Sequence, residues 1–175
     1  MQRLAKDIQF AKPYNNRGSL KADKLDNPQG ALADYNQAIK LDSQFADFYI
    51  NRGNLKADKL NDPQGALADY NQAILLNSQD ADAYVGRGIL KADKLNDPQG
   101  ALTDYNQAIA LNPKLVIAYT NRAIIKYENL NDRLGGISDV RKATELAKAQ
   151  GNTEELDAAL KILQSWGVND GNAGS

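Results

Sequence analysis

Tyr14, Tyr49, Tyr84 and Tyr119 recur every 35 residues, and Gly18, Gly53 and Gly88 keep the same step. Ala31, Ala66 and Ala101 follow in register, then Tyr35, Tyr70 and Tyr105. A fixed period of this length confines the chain to a tandem array in which each unit buries its apolar face on the next. Function then belongs to the surface that the units share.

Within the second copy, Tyr49, Gly53, Ala57 and Leu60 fall at i, i+4, i+8 and i+11, one face of an α-helix. The spacing predicts a first helix, A, over about residues 46–60, with Ala57 and Leu60 in its buried stripe. Asn61-Asp62-Pro63 sets a side-chain acceptor before a proline, the pairing of an N-cap with a first-turn residue that has no N–H to lose. A second helix, B, therefore starts near Pro63 and carries Ala66, Leu67, Tyr70, Ala73 and Ile74 inward, ending near Leu76. The fourth copy has drifted, with Ala123 for the glycine, Arg133 for the proline and Val140 for the tyrosine. Asp132 is its expected N-cap and Gly151 its expected stop.

The predicted organisation is an N-terminal helix remnant or cap over 1–12 and four repeats over 13–151, at about 13–45, 46–80, 81–115 and 116–151. A capping helix follows over 152–166, where Asn152 and Glu155 have capping-box spacing ahead of Leu156, Leu160, Leu163 and Trp166. Residues 167–175 have no apolar periodicity and are expected to be a disordered tail.

Lys and Arg number 21 against 22 Asp and Glu, so the molecule as a whole has no field to draw it to nucleic acid or anionic lipid. Cysteine and histidine are both absent, which removes disulfides, thiol nucleophiles and the commonest general base and zinc ligand. The start of the chain shows neither a signal-peptide core nor a membrane span, so a cytoplasmic location is the default expectation. No glycine-rich phosphate loop or metal-ligand spacing appears, and the carboxylates follow the repeat without a partner of another kind. The expectation is no catalysis, no metal and no cofactor.

The order Tyr-x-Asn-Arg-Gly, with Gly86 for the asparagine in the third copy, then alanine early in helix B, tyrosine four residues on, alanine three further and a closing Asn-Pro, as in Tyr84 to Pro113, resembles the tetratricopeptide repeat. The resemblance spans about residues 13–151. It implies an all-α right-handed superhelical solenoid of antiparallel helix pairs that binds partners along the inner surface lined by the A helices. Two features depart from the family pattern. The period is one residue longer, and Lys21, Lys56 or Lys91 stands where an aromatic is usual three residues after the glycine. The extra residue predicts a slightly longer helix A without altered topology.

Helical geometry gives the inner surface of the second repeat as Asp47, Ile50, Asn51, Asn54 and Asp58. Its equivalents before are Lys12, Asn15, Asn16, Ser19 and Asp23. After it come Asp82, Val85, Gly86, Ile89 and Asp93, then Ile117, Thr120, Asn121, Ile124 and Glu128. Asp23, Asp58, Asp93 and Glu128 form an acidic row suited to a cationic segment, or a solvated helix edge beside Lys24, Lys59 and Lys94. Asn16, Asn51 and Asn121 form a broken amide ladder that either holds the main chain of an extended peptide or bonds helix to helix. The lining turns more apolar toward Val85 and Ile89, a seat for an aliphatic anchor, or for the terminal helix or a second copy. Arg17, Arg52, Arg87 and Arg122 are expected to pair structurally with Asp residues such as Asp34, Asp69 and Asp104 on helix B.

Repeats that grip the C-terminal carboxylate of heat-shock chaperones resemble this chain at Asn51. Their lysine and arginine positions fall here on Asn15, Asp82 and Gly86, so that cationic clamp is missing. The reading is a non-enzymatic scaffold for a peptide or protein partner, with a self-assembling repeat module as the alternative. A helical-repeat RNA binder is disfavoured by the acidic row, so no nucleic acid and no membrane insertion are expected, and a homo-oligomer remains open.

Overall fold

The computed structural model describes residues 2–168, with the backbone path alone for 2–9. Among these residues there are nine α-helices and no strand. The chain divides into two compact units, one up to Leu90 and one from Lys91 onward.

In the first unit, α1 (Gln2–Asp23) pairs with α2 (Pro28–Leu41), α3 (Ala46–Asp58) pairs with α4 (Pro63–Leu76), and α5 (Ala81–Asp93) begins. Apart from the last, capping helix, the odd-numbered helices are the A helices and the even-numbered ones the B helices. Each B helix starts as its residues dictate. Pro63 fills the first turn and Asp62 Oδ1 accepts from Gly65 N at 2.9 Å, with the same bond from Gly30 to Asn27. A cap of this kind contributes about 1 kcal/mol. Gly65 is what lets the carboxylate fold over the helix start, since a Cβ there would lie 2.0 Å from Asp62 Oδ2.

The additional residue of the 35-residue period is absorbed differently from the expectation. Helix α3 stops at Asp58, and Ala57 and Leu60 are only half-buried. Leu60 N–H donates to Leu55 O at 3.2 Å and Asp62 N–H to Lys56 O at 2.9 Å, a wide closing turn in which Asn61 takes φ +50°. Asp26, Asn96 and Asn131 adopt the same left-handed conformation, which Asn and Asp tolerate better than other side chains. The buried positions of α3 are instead Ala46, Phe48, Tyr49, Gly53 and Leu55. Phe48 packs with Ala11 and Ala38, and Leu55 with Ala31 and Tyr35, so these two side chains join the repeat to its predecessor.

A polar strut accompanies this packing. Arg52 donates to both carboxylate oxygens of Asp69 on its own B helix, at 2.9 and 2.6 Å, and through Nη1 to Asn36 of the preceding B helix at 2.7 Å. Lys56 reaches the same buried carboxylate at 2.8 Å, and the Arg52 guanidinium lies over the Tyr49 ring. Arg17 and Lys21 grip Asp34 likewise. The lysine that replaces the usual aromatic is therefore the second cation of a buried network.

In the second unit, Lys91 pairs with Asp104 at 2.8 Å. Helix α6 (Pro98–Leu111) precedes α7 (Val116–Ile124), which passes into one turn of π-helix, Ile125–Asn129, before α8 (Arg133–Gln150) and α9 (Thr153–Ser165). Arg122 and Lys126 hold Asp139, and Arg122 also reaches Asn106 at 2.8 Å. Asp132 caps α8 and Gly151 ends it at φ +67°.

Helix α9 lies on α8, with Ala159 and Leu163 buried beside Val140, Ala143 and Ala147. Asn152 caps it, accepting from Glu155 N at 3.2 Å. Leu160, expected inside, is 42% exposed because Ala159 takes the inward position. Trp166 stacks on Tyr127 with centroids 3.8 Å apart. Of the expected tail, Val168 is half-buried against this core and its N–H reaches Leu163 O at 2.9 Å. Residues 169–175 lie outside the described residues.

Candidate functional site

In the first unit the expected lining divides by exposure. Asn16, Asp23, Asp47, Asn54, Asp58 and Asp82 are exposed, and Asn15, Ser19, Ile50, Asn51 and Ile89 are half-buried. Val85 is buried at 6% exposure, so it belongs to the wall and not to the lining. In the second unit Asp93 and Glu128 are exposed, and Thr120, Asn121 and Ile124 are half-buried.

Two concavities open on the first unit. One, of about 170 Å³, brings together Ser19, Asp23, Asn51, Asn54 and Asp58, with the Tyr35 ring also in its wall. The other, of about 250 Å³, is lined by Asp47, Ile50, Asn51, Asp80 and Asp82. Asn51 lines both. Its Nδ2 donates to Asn15 Oδ1 at 2.9 Å, so at this rung the ladder bonds helix to helix.

The B-helix tyrosines support the floor from below. Ser19 Oγ and Tyr35 OH are 3.2 Å apart, and Tyr70 OH donates to Asn54 Oδ1, which fixes the Asn54 amide at the rim. Burial raises the Tyr70 hydroxyl well above its ordinary pKa, and the Asp58 and Asp69 charges push it the same way. Tyr70 is thus a neutral donor at any ordinary pH. Tyr105 is raised for the same reasons, with Asp93 and Asp104 nearby.

Asp80, Lys59 and Tyr35 were not expected in the lining. Asp80 had a readable signal: the aligned positions are Phe10, Phe45 and Leu115, so one junction alone carries a carboxylate. Asp80 Oδ1 accepts from Asp82 N at 3.0 Å and Ala83 N at 3.3 Å, capping α5 while facing the larger concavity. The clamp position at Gly86 is closed sterically as well as chemically, since a Cβ there would lie 2.6 Å from Tyr70 Cε1. Among the described residues no group of His, Cys, Asp and Glu is placed to hold a metal ion, and no helix is long and apolar enough to cross a membrane.

Helix pairs joined by short capped turns, small residues under aromatic rings, and a lined A-helix face define a helical-repeat protein. The chain carries tetratricopeptide repeats: family models described as TPR repeat and tetratricopeptide repeat match residues 29–59 and 46–80. Its fold is similar to the crystal structure of MamA, at 23% identity and a TM-score of 0.72, over 81% of this chain and 80% of that one. It is also similar to the Arabidopsis OM64 TPR domain, at 24% identity and a TM-score of 0.64, over 70% of this chain and 98% of that one. The second TPR domain of the human RPAP3 protein, in complex with the HSP70 peptide SGPTIEEVD, is similar at 25% identity and a TM-score of 0.61, over 70% of this chain and 97% of that one. No curated protein matches the sequence.

Proposed function

We propose that this protein is a non-enzymatic interaction scaffold that holds a cationic or extended segment of a partner protein against the face lined by its A helices. The observation that carries this reading is the pair of concavities meeting at Asn51, whose lining includes positions that the repeat varies, such as Ile50, Asn54 and Asp80, while it copies the Arg-Lys-Asp network beneath them. A rigid scaffold under a varied lining is how repeat proteins generate separate specificities. The similarity to the second TPR domain of RPAP3, which is in complex with the HSP70 peptide SGPTIEEVD, supports peptide binding as the mode. It does not extend to the same peptide, because Asp47, Asp80 and Asp82 repel a segment ending in acidic residues.

The test is capture of partners from an extract with wild type, with Asn51→Ala/Asn54→Ala, and with Ala68→Arg on the exposed outer face of α4, each checked for helicity. Partners retained by wild type and Ala68→Arg but lost by the double variant support the reading. Equal capture by all three overturns it.

A further inference from the structure

We infer that the A-helix face of the first unit recognises an extended segment carrying two basic side chains, one seated in each of the concavities that meet at Asn51. This deepens the proposed function and rests on that face being a peptide-binding surface. At about 170 and 250 Å³, the two fall below the roughly 300–1,000 Å³ of sites that enclose a whole small ligand. They have the size of subsites for single side chains.

Charge fixes which side chains. The larger concavity presents Asp47, Asp80 and Asp82 and no lining cation. The smaller presents Asp23 and Asp58 against a single Lys59. Asp80 stands where the other copies keep Phe10, Phe45 and Leu115, so the acidity of the larger concavity departs from the copied pattern, whereas Asp23 and Asp58 in the smaller follow it. Ile50 in the wall offers the methylene stem of a lysine or arginine an apolar surface, and the carboxylates take the charged head.

The shared wall sets the conformation. A segment running from one subsite to the other crosses Asn51, whose Nδ2 is engaged by Asn15 and whose Oδ1 is the atom left to accept a main-chain N–H. An extended chain presents alternate side chains to one face, so two basic residues with a short spacer reach both subsites while the main chain passes the amide.

The probes are fluorescein-labelled Gly/Ser dodecapeptides bearing two arginines separated by one to five residues, with matched sets carrying two glutamates or two leucines. Fluorescence anisotropy follows their binding to the full chain at low and moderate salt. The inference expects one arginine spacing to bind best, to weaken with salt, and to lose roughly tenfold on Asp47→Asn/Asp82→Asn, the product of two partly exposed ion pairs. Glu154→Gln/Asp157→Asn, an equal charge change on the exposed side of α9, leaves that affinity unchanged. Equal losses in both variants, or glutamate or leucine peptides binding as tightly as arginine peptides, overturn it. Asn54→Arg separates the two levels: a glutamate or leucine peptide that binds and is displaced by Asn54→Arg sinks the dibasic inference and leaves the face as a peptide site. If no peptide of any charge responds to Asn54→Arg, both fail.

Discussion

Replacing Asp69 with alanine isolates the network that underlies each repeat. The carboxylate is 5% exposed and takes Arg52 Nε at 2.9 Å, Arg52 Nη2 at 2.6 Å and Lys56 Nζ at 2.8 Å. Its removal leaves two cations, 18% and 17% exposed, facing a space without an anion. Breaking a buried pair from one side costs about 3–5 kcal/mol. The lower end applies here, because Arg52 keeps Asn36 at 2.7 Å and both cations still reach water. Asp69→Asn keeps the shape and one acceptor but loses the charge, for a loss of about 1.5–3 kcal/mol. Urea denaturation followed by far-UV circular dichroism measures both, fitted with a nearest-neighbour scheme because the repeats are coupled in series. A loss below about 1 kcal/mol for Asp69→Ala, the range of an exposed surface bridge, refutes the argument that this network joins the helices.

Other outcomes follow from neighbouring geometry. Gly86→Ala places a Cβ 2.6 Å from the buried Tyr70 ring and should cost about 1–3 kcal/mol. Gly53→Ala meets the same ring at 3.3 Å and should lie near zero, since helix propensity offsets the contact by up to about 1 kcal/mol; equal denaturation midpoints for the two variants contradict this. Leu55→Ala, at a position 3% exposed between repeats, should cost about 2–5 kcal/mol, whereas Leu75→Ala, 78% exposed, should change little. Hydrogen bonds from Arg17, ahead of opposing desolvation, lower the Asp34 carboxyl from 3.8 to about 2. The unfolded chain therefore binds this proton first, so the group's stabilisation is complete above pH 4 and is lost as pH falls from there through 2. An acid titration of the urea midpoint should flatten over that window in Asp34→Asn. Trp166, the single tryptophan, reports on its stack with Tyr127, and Tyr127→Ala should shift its emission while costing about 0.5–1.5 kcal/mol for the stack alone.

The repeat period and the turn chemistry were legible because both are local. Asp62-Pro63 carries its own instruction to start a helix, and Tyr49 with Gly53 marks one inward face. The fate of the additional residue was not legible. Periodicity alone extends helix A to Leu60, whereas the wide turn through Asn61 depends on a left-handed residue that a helical pattern does not encode. The role of the lysine after the glycine was not legible for a related reason. A lone Lys56 reads as exposed, and only the tertiary fold brings it beside Asp69, where a second cation is stable. For the candidate face, angular position distinguished Asn54 and Asp58 correctly as exposed, but Val85 sits on the same helical angle as Ile50 and is nevertheless buried. Asp80 lies before its helix begins, outside any periodicity, and only comparison with Phe45 and Leu115 exposes it.

The measurement closest to the central claim is an amide chemical-shift map of the protein with a bound partner segment. The account predicts that the largest shifts cluster on Asn51, Asn54 and the start of α5 around Asp82. Shifts confined to the outward positions of the B helices, such as Ala33, Ala68 and Leu75, would contradict it.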